Sequence, residues 1–132
     1  MRTLMSVLAD RADEIDGKGS VIGIFQAVAA KRFPTALNGV LVMRFSLDDD
    51  EDAGSEGLIL DVRLVGPSDQ RLSSMKVASD VPPKSDLAPL RGVDVTLDLR
   101  SVLLPRPGVY RFEIWAEDTL AAVVPLAAWL SD

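Results

Sequence analysis

The chain has 132 residues, neither cysteine nor histidine, and a net charge of −6 from 20 acidic and 14 basic side chains. No disulfide framework or thiolate metal site can form, and the commonest general base and metal ligand is missing. The charge opposes nucleic-acid and anionic-membrane partners. The length suits one domain, residues 1–132, able to bury roughly two thirds of its unfolded surface without a covalent staple.

In chain order, the first apolar run lies at residues 3–9 and is too short for a secretion signal, with Asp10 and Asp13 following at once. It is predicted as a strand that continues through a bulge to Ile15. Asp16-Gly17 offers a tight hairpin turn, since both residue types tolerate positive φ. A second strand is expected at residues 19–25, where Gly23 signals a bulge or a close backbone approach. Residues 26–32 are predicted as a short helical turn because Ala27, Ala29, Ala30 and Lys31 favour helix, ended by Phe33-Pro34.

A third strand, residues 37–47, places Leu41, Met43, Phe45 and Leu47 on one face and Val40, Val42 and Arg44 on the other. Both faces are largely apolar, so a central position is expected. Residues 48–57 form an acidic polar loop. Residues 58–65 alternate as a fourth strand, stopped by Gly66-Pro67-Ser68-Asp69. The fifth, residues 71–78, carries Ser73, Ser74 and Lys76 and reads as an edge. After a proline-rich loop, residues 93–102 give a sixth strand, and Pro105-Arg106-Pro107-Gly108 turns the chain. A seventh follows at residues 109–116, with Tyr110, Phe112 and Ile114 on the core face. Glu117-Asp118-Thr119 leads into the eighth, residues 120–130. No run reaches the roughly 18 apolar residues of a membrane helix.

About eight strands with period-two alternation and neighbour-to-neighbour pairing predict an all-β fold, a two-sheet antiparallel β-sandwich of immunoglobulin-like or jelly-roll-like type.

Two passages resemble a family of small, uncharacterised bacterial proteins. One is Leu8-Ala9-Asp10, then Asp16-Gly17-Lys18, then Gly23 and Phe25; the other is Gly108-Val109-Tyr110-Arg111-Phe112, followed by Val124-Pro125. The resemblance implies a sandwich and a bacterial, intracellular setting. That family has no known activity, so no site residue carries over.

Three motifs point toward chemistry and fail on spacing. Gly17-Lys18-Gly19-Ser20 looks like a phosphate loop, yet Ala12 stands where its first glycine belongs and Gly19 where Ser or Thr must follow the lysine. Ser73-Ser74-Met75-Lys76 matches a Ser-x-x-Lys nucleophile motif, but on a strand residues three apart face opposite ways. The acidic run supplies calcium candidates Asp48, Asp50 and Asp52, while Ala53 and Ile59 break the helix–loop–helix calcium pattern. A sandwich-type calcium site would need a second loop, such as Glu117 and Asp118.

By subtraction the chain is expected to be a non-catalytic binding module of a bacterial cytoplasmic protein, with no cofactor, acting on a protein partner or on a copy of itself. The alternative is a calcium- or small-ligand-binding sandwich using residues 48–56. Interaction candidates are Trp115, Arg111 and Trp129. Trp115 is either an exposed anchor or covered by Trp129, Leu126 or residues 26–32.

Overall fold

A computed structural model describes residues 1–16, 18–47, 57–82 and 91–132. Its strands are β1 (Arg2–Ile15), β2 (Lys18–Phe25), β3 (Ala27–Ala30), β4 (Thr35–Ala36), β5 (Val40–Leu47), β6 (Leu58–Val65), β7 (Arg71–Ser79), β8 (Arg91–Asp98), β9 (Leu103–Leu104), β10 (Gly108–Ala116) and β11 (Thr119–Leu130). They form sheet A, in the order β2-β1-β5-β8, and sheet B, in the order β3-β11-β10-β6-β7, with a small β4-β9 pair beside them. The inner faces share one apolar core. Leu8, Leu41, Met43 and Phe45 come from sheet A; Leu60, Val62, Phe112, Ile114 and Leu126 come from sheet B. The protein is an all-β sandwich. β5 is central, with all four of its predicted core residues buried, and β7 is an edge.

Three expectations are corrected. Residues 26–32 do not form a helical turn; Ala27–Ala30 is a strand, parallel to the end of β11 with Ala29 opposite Trp129. Helix propensity is worth only tenths of a kcal/mol per residue. Here a ladder is available, Ala127 N–H also donates to the Gln26 carbonyl, and Val28 packs against the core. The sixth strand is broken after Asp98. The Asp98 carboxylate accepts the Arg100 backbone N–H at 2.9 Å, turning the chain before the short β9. Pairing between neighbours accounts only for the β1–β2, β6–β7 and β10–β11 hairpins. The other pairs join strands distant in sequence, among them β1–β5, β5–β8 and β6–β10.

Two bulges mark where the sheets meet. Leu4 is the extra residue of β1 against β5, and Ala121 the extra residue of β11 against β10. Thr3 Oγ1 donates to the Ala121 carbonyl at 2.8 Å, so one hydrogen bond ties the two sheets together at these bulges.

The β1–β2 hairpin has Ile15 opposite Lys18 and Asp16 at φ 52°; its other turn residue, Gly17, lies outside the described residues. The register between β1 and β2 runs unbroken past Gly23, so no bulge occurs there. Gly23 instead has φ 74°, and a Cβ on it would run into the Asp10 carboxylate. This hairpin curls. Gly19 pairs at Glu14 and Arg44 at Met5, roughly 30 Å apart along a straight strand. Yet Arg44 Nη2 lies 3.6 Å from where a Gly19 Cβ would be. The arm therefore bends back toward Arg44 on the outer face of sheet A.

At the start of β10 the Tyr110 hydroxyl donates to the Arg106 carbonyl at 2.5 Å and accepts the Arg106 N–H at 3.1 Å. This tyrosine corner clamps the 105–108 turn to the core.

Candidate interaction face

Alternation on β10 sends Phe112 and Ile114 inward and Arg111, Glu113 and Trp115 outward. The register sets Glu113 beside Arg63 and Trp115 beside Asp61; on the far side of β6, Arg63 meets Ser74. The result is a polar lattice across three strands. Arg111 donates from Nε to Glu113 Oε2 at 2.9 Å and from Nη1 to Asp69 Oδ1 at 2.7 Å. Trp115 Nε1 donates to Glu113 Oε1 at 3.2 Å, and the Arg63 guanidinium sits 4.8 Å above the indole centroid. Arg63 Nε donates to Asp61 Oδ2 at 2.9 Å, and Ser74 Oγ to Asp61 Oδ1 at 2.5 Å.

These bonds fix the charges. The Arg111 guanidinium, then the indole N–H, holds the Glu113 carboxyl below its ordinary value of 4.5. The Ser74 hydroxyl, then Arg63, does the same for Asp61. A depressed carboxyl stabilises the fold above its unfolded pKa, and that contribution fades as pH falls through the lower, folded value. Glu113→Gln should therefore flatten the loss of melting temperature seen below pH about 4.5, leaving the neutral-pH curve to shift by a constant amount. A pH series of thermal melts on parent and variant checks this; parallel acid limbs would contradict it.

The structure thus brings Arg111 and Trp115 into one network, and the cover over Trp115 is Arg63. Leu126 points into the core, and Trp129 sits on the same outer face, roughly 27 Å along β11 from Trp115. Trp129 is 50% exposed. It ends an apolar strip that also includes Val109 at 65% and Val123 at 47%, with Pro125 between them along the strand and Ala29 beside it on β3. The sequence named Trp129 but not Asp61, Arg63 or the rest of this strip. Alternation had marked Asp61 and Arg63 as outward, but only the register shows them against β10.

A separate concavity of about 1030 Å³ opens at one end of the sandwich, between the start of β1 and the β10–β11 turn. Its charges alternate in sign, with Arg2, Asp61, Lys76 and Glu117 around it, and Asp61 is already bonded to Arg63 and Ser74. Among the described residues no group of three or more acidic side chains could hold a metal. The calcium candidates Asp48, Asp50 and Asp52 lie outside the described residues.

No curated protein matches the chain. Among solved structures it is similar to an immunoglobulin-like protein from Pseudomonas aeruginosa, at 19% identity over 96% of this chain and 94% of that one, with a TM-score of 0.47. A family model spans residues 4–128, and by that match the chain belongs to DUF6941, a family of unknown function.

Proposed function

We propose that this chain is a non-catalytic binding module of a bacterial cytoplasmic protein, docking a protein partner on the outer face of sheet B along β11 and β3. The observation that carries this reading is the apolar strip of Val109, Val123, Pro125 and Trp129 on an otherwise acidic molecule. Exposed aromatics flanked by apolar neighbours are frequent anchors of protein interfaces. The adjoining lattice of Arg111, Glu113, Arg63 and Asp61 holds its side chains in place before binding, which lowers the entropy cost of association. The bacterial and cytoplasmic parts rest on the sequence resemblance and the cysteine-free composition.

The test is affinity capture from the native bacterium with the parent and with Trp129→Ala and Val123→Asp, followed by direct titration of the recovered partner. Each variant should keep its melting temperature and weaken binding by about tenfold or more. Equal binding by all three would overturn the reading. Sedimentation of the chain alone decides whether the partner is a second copy.

A further inference from the structure

Open sheet edges invite a further strand, and folded proteins protect them with charge, proline, bulges or short length. Three edges here carry such protection. β7 bears Arg71 and Lys76 and bulges at Leu72. β8 bears Asp94 and Asp98 on its outer face. β3 is only four residues long, and the stretch of β11 it leaves uncovered holds Pro125 and the Ala121 bulge.

β2 differs. It is the terminal strand of sheet A and runs for eight residues, with its one charge, Lys18, at its first position. It has no proline and keeps register with β1 throughout. Ile22 and Ile24 are exposed, Ile24 at 60%. Among the described residues no strand pairs with its far side. The arm it belongs to carries Asp10, Asp13, Glu14 and Asp16 against only Arg11 and Lys18. Arg11 already faces Asp13 at 3.3 Å, which leaves the others without a cation within the arm except Lys18.

We propose that β2 is a strand-docking edge that accepts an extended, basic segment of another protein as a fifth strand of sheet A. Main-chain hydrogen bonds to β2 supply affinity, and alternating apolar side chains of the incoming segment lie along Ile22 and Ile24. Its lysines or arginines meet the carboxylates of the arm. Charge selects this occupant over a second copy, since two chains of net charge −6 would bring two equally acidic arms together. This surface lies on the opposite sheet from the Trp129 strip, so either can fail without the other.

The experiment titrates the isotope-labelled full chain with an eight-residue peptide of alternating valine and lysine, read by amide shifts and hydrogen exchange. Two further peptides are compared: valine alternating with glutamate, and the lysine peptide N-methylated at alternate amides, which keeps its charge but removes strand hydrogen bonds. The expected result is shifts and slowed exchange at Lys18–Phe25, with binding about tenfold weaker for both comparison peptides. Ile24→Lys should weaken the lysine peptide similarly while melting as the parent does. Absence of binding, equal binding by the N-methylated peptide, or shifts centred elsewhere would overturn the proposal. Self-association of the parent that Ile24→Lys abolishes would overturn the choice of occupant.

Discussion

Phe112→Ala is expected to cost about 3–5 kcal/mol of folding free energy. Phe112 is wholly buried and lies in register between Leu64 of β6 and Val124 of β11, at the middle of sheet B. Across the core it shares one cluster with Leu41, Met43 and Phe45 of sheet A. Removing the ring deletes transfer free energy and leaves a cavity that rigid strands on both sides cannot close. Urea unfolding of parent and variant measures the difference. A loss under about 1 kcal/mol would mean that the ring does not occupy the core, as a one-residue slip of β10 would produce.

The second large effect belongs to Tyr110→Phe. The ring is buried and its apolar packing survives the change, so only the hydroxyl is tested. That oxygen serves both backbone groups of Arg106, donating to the carbonyl and accepting from the N–H. Its loss leaves two peptide groups in a part-buried corner without their partner. Each hydrogen bond is worth about 0.5–1.5 kcal/mol net, and stranded polar groups cost more, so a loss of about 1.5–3 kcal/mol is expected. The same denaturant series reads it, and an unchanged midpoint would show that water replaces the hydroxyl at no cost.

Much of this fold was legible because a strand's period does not depend on its partner. Leu58–Val65 and Gly108–Ala116 show their inward residues by alternation alone, and the turn residues around them fixed their ends. Ala27–Ala30 was not legible, since four small residues carry no alternation and their strand conformation comes from the far end of β11. The start of β5 was equally hidden, at Val40 rather than at the expected residue 37. Gly39 sits against the Ala9 carbonyl, 2.7 Å from where its Cβ would be, a contact made across sheet A rather than along the chain. The candidate face followed the same division. Arg111 and Trp115 could be placed on one outward face, but the Arg63 guanidinium over the indole depends on a register set by a long connection. The edges were half legible. Composition marked β7 as an edge, whereas the status of β2 required the strand order.

The β3–β11 pair has a consequence for how the molecule is made. Residues 27–30 find their partner only in residues 127–130, about one hundred positions later. A chain emerging from the ribosome can close the β1–β2 hairpin early, but it holds this segment unpaired until residues 127–130 have also emerged. Such non-local closure places the protein among slow folders, on the millisecond-to-second scale. It also makes β11 the strand that completes both the core and the outer strip, so a nascent chain halted before Ala127 lacks the Trp129 surface and leaves β3 open.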